Sequence, residues 1–381
     1  MKTHRDFKRL SAILASVGLA AGLYACGGGG GNPGNSGTNT TTSVAATTFA
    51  ATSLVVDAAT TPGYSNEAAR QIDPNLVNAW GLAFNPAGFA WVANNGTSTS
   101  TLYDGNGVPQ SLIVSLPAGQ AGPASPTGIV FNATQDFKVS QGGLSGAPPF
   151  IFVGETGTVS GWSPAVAPTQ TVTMVDNSAN GAVYKGLALA SFAGANLIYA
   201  TDFHNNRIDV FDTNYNLVTL PGSFTDPALP AGFAPFGIQA IGGNIYVTFA
   251  RQDVAAHDDV HGAGLGRVDL FDSGGNFIKT LATGGALNAP WGVALAPANF
   301  GTFSGDLLIG NFGDGTINVF DPASGVMLGT LSNAAGNAIV IDGLWALAFG
   351  NGLKNQPTNT LFFTAGPGDE AHGAYGRIDM Q

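Results

Sequence analysis

The chain has 381 residues, including 55 Gly and 21 Pro, and carries a formal net charge of −11. Hydrophobic residues make up 44% of it and charged residues only 10%, which excludes a disordered chain, because disorder needs low hydrophobicity and high charge. The 13 Lys and Arg residues are too few for the basic face of a duplex nucleic-acid binder, so we expect no nucleic-acid partner. Many short buried strands between Gly-rich turns fit this composition.

The N-terminal segment has the layout of an export signal. Four Lys and Arg residues lie among the first nine, and residues 10–25 form an apolar stretch too short for a comfortable membrane span. We therefore predict a signal peptide over residues 1–25. The Gly-, Ser- and Thr-rich residues 26–48 are predicted to be a flexible linker to a domain that starts at residue 49.

Cys26 is the only cysteine, so no intramolecular disulfide can form. It ends the stretch Leu23-Tyr24-Ala25-Cys26, which resembles the bacterial lipobox, although Tyr24 is bulkier than that pattern usually has. The resemblance implies that Cys26 is lipidated and anchors the chain to a membrane. Gly27 after the Cys, in place of Asp, implies the outer membrane, on its periplasmic or outer side. The alternative is an ordinary cleaved signal peptide in which Cys26 has no role.

One sequence unit recurs along the rest of the chain, and residues 185–212 show it most clearly. A Gly within an apolar strand is followed by a second strand, a polar turn and a third strand. In the third strand Ile208 and Val210 alternate with Arg207 and Asp209, which is the period of two expected of strands. The openings of the six units lie at residues 80–84, 127–131, 185–189, 236–238, 291–295 and 345–349.

Units of this length with three or four strands are typical of propeller blades. We therefore predict an all-β, six-bladed β-propeller over residues 49–381. We expect the shared Gly to lie where backbones crowd at the central channel, and the aromatic residue beside it to pack between blades. The last unit ends after its third strand, so an apolar strand at Ser53–Asp57 is predicted to pair with it and close the ring.

Two stretches carry a family resemblance. Residues 186–212 resemble the NHL repeat, and residues 78–107 resemble an uncharacterised family of secreted bacterial propellers. The resemblance spans residues 50–381. It implies a propeller fold and a location outside the cytoplasm, and the family has no established reaction. NHL-type propellers often bind partners on one face, so a protein or small-molecule ligand is expected. We expect a monomer.

The motif Asp-x-x-His-Gly occurs twice, at 258–262 and 369–373, between the second and third strands of blades four and six. Imidazole and carboxylate together suit Zn²⁺, Mn²⁺ or Fe²⁺, and equivalent loops of a propeller lie on one face. The alternative is that the motif only forms a hydrogen-bonded turn, with Arg267 or Arg377 paired to a neighbouring carboxylate. The residues that the metal hypothesis assigns are His204, Asp258, His261, Asp369 and His372.

Polar residues at strand ends form a second candidate. Glu155, Asp202 and Asn311 follow second strands, while Lys185 and Asn78 flank first strands. Calcium-dependent lactonases of propeller fold use Glu, Asn and Asp near the central axis. That likeness would give Glu155, Asp202 and Asn311 the part of metal ligands at the channel mouth.

Two functions follow from these observations. The first is a binding or scaffold module anchored at the cell envelope, because no recognisable catalytic set is present. The second is a metal-dependent hydrolase, acting on a lactone or ester, or a lyase, in which a divalent metal polarises a carbonyl or activates water.

Overall fold

The chain is described by a computed structural model covering residues 47–64 and 70–381. The predicted signal peptide, Cys26 and nearly all of the predicted linker lie outside these residues. The strands that precede the first blade are β1 (Phe49–Val56) and β2 (Gln71–Ile72). Blade one contains β3 (Ala79–Phe84), β4 (Ala90–Asn94), β5 (Thr99–Tyr103) and β6 (Val114–Ser115). Blade two contains β7 (Pro126–Phe131), the hairpin β8 (Val139–Gln141) and β9 (Leu144–Gly146), then β10 (Phe150–Gly154), β11 (Thr158–Trp162) and β12 (Val172–Asp176).

The remaining four blades follow in chain order. Blade three contains β13 (Tyr184–Phe192), β14 (Ala195–Asp202) and β15 (Arg207–Phe211). Blade four contains β16 (Phe233–Ile241), β17 (Asn244–Gln252), the short β18 (Asp259–Val260), β19 (Arg267–Asp272) and β20 (Phe277–Thr283). Blade five contains β21 (Pro290–Leu295), β22 (Leu307–Asn311), β23 (Ile317–Phe320) and β24 (Met327–Thr330). Blade six contains β25 (Leu344–Phe349), β26 (Leu361–Ala365) and β27 (Ala374–Met380). Three short 3₁₀ turns lie at Asn95–Thr97, Ser178–Asn180 and Gly301–Phe303.

The ring is closed by β1, as predicted, although this strand starts earlier than the sequence suggested. It pairs antiparallel with β27 from Phe49 opposite Met380 to Val56 opposite Ala374. Phe49 is fully buried and lies with its ring 5.0 Å from Phe300 of blade five. The N-terminal strand therefore supplies the fourth strand of blade six and covers the edge that β27 would otherwise expose.

The shared glycines lie at close approaches between neighbouring inner strands, which confirms the expected crowding. A Cβ atom on Gly81 of blade one would lie 2.3 Å from the carbonyl oxygen of Thr127 in blade two. A Cβ atom on Gly237 of blade four would lie 2.2 Å from the carbonyl oxygen of Trp291 in blade five. Both contacts are to backbone, so the inner strands can pack at this spacing only where a side chain is missing.

The aromatic residues beside these glycines do not pack between blades as expected, but converge across the ring. Trp80 of blade one stacks on Trp345 of blade six with ring centroids 3.6 Å apart. Phe236 of blade four and Trp291 of blade five lie 5.8 and 6.0 Å from Trp345. Side chains from four blades can meet only on the central axis, so these aromatic rings fill the channel near the start of the inner strands.

In the part of the chain that the structure describes, no helix has the length and apolar character needed to cross a membrane.

Candidate functional site at the channel mouth

Lys185 occupies in blade three the place that an aromatic residue takes in four other blades. Its side chain is 2% exposed, and its Nζ lies 5.1 Å from the centre of the Trp80 ring on the far side of the channel. The same ammonium group donates hydrogen bonds to Glu155 Oε1 and, at 3.1 Å, to Asp258 Oδ1. A cation is thus held above the aromatic layer by two carboxylates from blades two and four.

A third carboxyl group, that of Glu370, reaches the same place from blade six. Asn78 Nδ2 donates to Glu370 Oε2 at 2.6 Å, while Asn78 Oδ1 accepts a hydrogen bond from Trp345 Nε1 at 2.9 Å. Asn95 Nδ2 donates to Glu155 Oε2 at 2.8 Å and Asn95 Oδ1 accepts a longer bond from Asn78. We call the five residues Asn78, Glu155, Lys185, Asp258 and Glu370 the axial cluster.

The axial cluster changes the protonation of its members. Burial, and after it the negative charge of Glu155, raise the pKa of Glu370 to about 7 against the opposing effect of Lys185. Burial would lower the pKa of Lys185, but the charges of Glu155 and Asp258 outweigh it and raise that pKa. A hydrogen bond from His257, and then the charge of Lys185, lower the pKa of Asp258 despite its partial burial. At neutral pH the cluster therefore holds one ammonium, ionised Asp258 and a Glu370 that is close to half ionised.

The backbone around Glu370 is held in an uncommon conformation. Asn78, Asp369 and Glu370 have φ angles of 46°, 54° and 64°, in the left-handed region that favours glycine. Residues held in this region cost free energy and occur often at functional sites. Asn78 and Glu370, which are joined by a hydrogen bond, both have this conformation. The surrounding structure therefore holds the two residues in contact.

The five residues of the predicted metal set lie in separate places. His204 is hydrogen-bonded through Nδ1 to the carbonyl oxygen of Ala256 at 3.3 Å. His261 Nδ1 lies 3.7 Å from Asp259 Oδ2, and His372 Nδ1 lies 2.8 Å from Asp57 Oδ2, beside the closing strand. Asp369 is exposed, and of the set only Asp258 belongs to the axial cluster.

The arginines of the repeated motif form the pairs that the structural alternative expected. Arg267 Nε donates to Asp269 Oδ1 at 2.9 Å, and Arg377 Nη2 donates to Asp379 Oδ1 at 2.6 Å. Each pair links residues two apart on one face of a third strand. Arg267 also donates to Thr280 of β20 and Arg377 to Thr360 before β26, so each arginine links its strand to a neighbouring segment.

Of the three channel-mouth residues, only Glu155 faces the axis. Asp202 is fully buried, accepts hydrogen bonds from the backbone N–H of Val183 and from Asn205, and burial raises its pKa. Asn311 is also fully buried and donates to the carbonyl oxygen of Ala286 at 2.7 Å. Both side chains hold turns in place.

Within residues 47–64 and 70–381, one group of three acidic or His side chains brings ligand atoms within 4.8 Å of one another: Glu155, His257 and Asp258. His257 Nδ1 lies 2.9 Å from Asp258 Oδ1, and this hydrogen bond raises the pKa of His257. Lys185 already contacts both carboxylates of the group. A divalent metal held there would have to share both carboxylates with the ammonium group of Lys185.

Sequence reasoning missed Glu370 and placed no chemistry on Lys185. A signal for Lys185 exists in the repeat itself, since it replaces the aromatic residue before the shared Gly. Glu370 lies beside the predicted Asp369, and only the fold of its loop shows which of the two points to the axis.

The six closed blades and the polar cluster over an aromatic layer define a β-propeller with a charged channel mouth. No protein-family model matches the chain. The chain is 36% identical over 323 residues to "Uncharacterized protein R648" of Acanthamoeba polyphaga mimivirus, covering 82% of this chain and 77% of that protein. It is 34% identical over 294 residues to "Uncharacterized protein L690" of the same virus, covering 74% and 76%. The chain therefore belongs to the family of these mimivirus proteins. A bacterial source and the NHL type remain predictions.

Solved structures similar to the chain include two enzymes. A gluconolactonase from Xanthomonas campestris matches with a TM-score of 0.49 at 13% identity, over 81% of this chain and 88% of that one. Virginiamycin B lyase from Staphylococcus aureus matches with a TM-score of 0.43 at 12% identity, over 87% and 99%. The propeller assignment of this chain rests on its own strand pairing.

Proposed function

We propose that this protein is an exported, membrane-tethered propeller that binds a small cationic ligand, such as an amine, at the axial cluster. The observation that carries the proposal is the gathering of Glu155, Asp258 and Glu370 around one Lys185 at the channel mouth. Three carboxyl groups face one ammonium, so the site keeps a net negative charge that a cationic ligand would offset. Asp258 is 62% exposed, which gives a ligand access from solvent.

A neighbouring carboxyl group adds to the negative potential. Asp259, the residue after Asp258, is the first residue of β18. Its side chain is 6% exposed, and its Oδ2 atom has no hydrogen-bond partner. Burial raises the pKa of Asp259, against the charges of Lys185 and His261. An approaching cation favours the ionised form of such a buried carboxyl group.

The test is calorimetry with putrescine, a linear diamine, and with uncharged 1,4-butanediol as the matched ligand. A cation prefers ionised Glu370, whose pKa of about 7 lies above its ordinary value. Binding should therefore be tighter at pH 8 than at pH 6 and should release protons near pH 7. Loss of a charge-assisted contact in Glu370→Gln should weaken binding about tenfold at pH 8. At pH 6, where Glu370 is largely protonated, the variant should match the wild type.

The control is Asp369→Asn, which removes the same charge from the adjacent, exposed residue of the same loop. It should bind putrescine with nearly wild-type affinity. The proposal fails if butanediol binds as well as putrescine, or if Glu370→Gln and Asp369→Asn weaken binding equally.

The tether is a separate part of the proposal and rests on the lipobox-like residues that end at Cys26. In a bacterial host that lipidates proteins, the mature chain should begin at Cys26 and carry acyl groups, as read by mass spectrometry of its N-terminal peptide. Cys26→Ser should release the protein from membranes. A mature N-terminus downstream of Cys26 would contradict the tether and leave the amine site untouched.

A second candidate function, metal-dependent hydrolysis, is favoured by the grouping of Glu155, His257 and Asp258. In this case a divalent ion would be held by those three side chains and would polarise a substrate carbonyl. Mn²⁺ or Zn²⁺ would then raise the melting temperature of the wild type, and His257→Ala would abolish the increase. Putrescine binding without any effect of these ions supports the binding module.

A further inference from the structure

The other end of the channel holds a cavity of about 400 Å³ at the point where the six inner strands end. Every blade contributes to its wall, with Leu82 of blade one and Leu187 of blade three among the lining residues. The inner strands all start at the axial cluster, so this cavity and that cluster lie at opposite ends of the channel. The layer of Trp80, Trp291 and Trp345 separates them.

The wall of the cavity carries no charge. None of the side chains that line it, all in the described part of the chain, is ionisable, and Gln239 is its one polar side chain. Phe84, Phe131 and Phe349 extend the apolar surface to the outer rim. A charged molecule would lose hydration here without gaining an oppositely charged partner, which disfavours its binding.

The depth of the cavity is set by the channel itself. A narrow continuation of about 30 Å³ leads inward past Gly81 and Gly292 to Trp291. Each inner strand pairs with its own blade along one edge only, so its other edge faces the channel without a strand partner. Hydrogen-bonding groups of the backbone therefore accompany the apolar side chains along the wall.

We propose that this cavity binds one uncharged, largely apolar small molecule, at a site distinct from the axial cluster. Its volume lies within the range of roughly 300–1,000 Å³ that is usual for small-molecule sites. The apolar side chains of the six blades and the aromatic floor would contact the apolar part of the ligand, and Gln239 with the exposed backbone groups of the inner strands would contact its polar part.

The probe for this proposal is N-phenyl-1-naphthylamine, a neutral apolar dye, titrated into the full chain. It should bind at one saturable site and accept energy transfer from tryptophan, because Trp291 lies at the inner end of the channel. Gln239 is exposed within the channel, so Gln239→Trp fills the space without displacing a buried group. This variant should weaken binding by at least about tenfold.

The matched control is Val326→Trp, which adds the same side chain at a position that is 58% exposed and lies outside the cavity. It should bind the dye like the wild type. The melting temperatures of Gln239→Trp and Val326→Trp are recorded to confirm that both variants fold. Equal affinity in Gln239→Trp and Val326→Trp, or no saturable binding, overturns the proposal. Tighter binding of the anionic dye 8-anilinonaphthalene-1-sulfonate than of the neutral dye would also overturn it. Glu370→Gln should leave dye binding unchanged, which separates this site from the amine site.

Discussion

Replacing Lys185 with Met should destabilise the protein by about 3 kcal/mol or more at neutral pH. Met keeps most of the apolar stem that packs against Trp80 but removes the ammonium. Glu155 is then left with 14% of its side chain exposed and without the ammonium that pairs with it. Breaking a buried ion pair on one side leaves an uncompensated charge, and this cost exceeds the value of the pair itself. Urea unfolding followed by circular dichroism measures the loss.

The cause of this loss of stability is tested by also removing the carboxylate of Glu155. Glu155→Gln in the Lys185→Met background should recover a large part of the stability, because the stranded charge is gone. Asp258 is mostly exposed and should contribute little to the recovery when it is changed instead. Lys138→Met, at an exposed lysine, serves as the matched control and should change stability by less than about 0.5 kcal/mol. A loss that Glu155→Gln does not reduce would contradict this account.

Replacing Gly81 with Ala should destabilise the protein by about 3 kcal/mol, at the upper end of the usual cost of overpacking. The new Cβ would lie 2.3 Å from the Thr127 carbonyl oxygen and 2.9 Å from Ile129 Cγ2. Both neighbours belong to the inner strand of the next blade, which is fixed in turn by blade three. The strain cannot be relieved by a side-chain rotation, so blades one and two must move apart. Thermal unfolding by calorimetry measures the shift.

The control for this substitution is Gly329→Ala on the outer strand of blade five. There the new Cβ would lie 3.3 Å from the tip of the Phe303 ring, which can turn away. Its effect should stay below about 1 kcal/mol. Ala346, which occupies the matching place in blade six, shows that the ring tolerates one methyl group where it closes. Equal effects of Gly81→Ala and Gly329→Ala would show that crowding of inner strands does not limit stability.

The blade count and the closing strand were predictable because both depend on local pattern. Alternating residues such as Ile208 and Val210 mark strands, and the recurring Gly marks the inner strand of each blade. The last unit has three strands, and the apolar segment near Ser53 precedes the first unit without belonging to any of the six. Pairing these two segments satisfies hydrogen bonds at a sheet edge, so chain order alone leads to the closed ring.

The site was only partly predictable. Glu155 was recognised as a polar residue at a strand end and Asp258 as part of the repeated motif, so they were assigned to two different candidate sites. In the fold they meet on Lys185, which comes from a third blade and was read as a strand-flanking residue. The repeated Asp-x-x-His-Gly motif suggested that His261 and His372 converge, whereas His372 lies against Asp57 of the closing segment.

The amino-acid sequence by itself determined the class of fold, the number of blades and the partner of the first strand, because these follow from short-range alternation and from a repeat. Only the tertiary structure decided which side chains share the channel axis. Residues 78, 155, 185, 258 and 370 lie far apart along the chain, and the direction of each side chain depends on local backbone geometry, such as the register shift between Tyr184 and Gly186 that flanks Lys185. In the turn before β27, Asp369 and Glu370 both have positive φ angles, and the fold of this turn brings Glu370 to the axis while Asp369 is exposed.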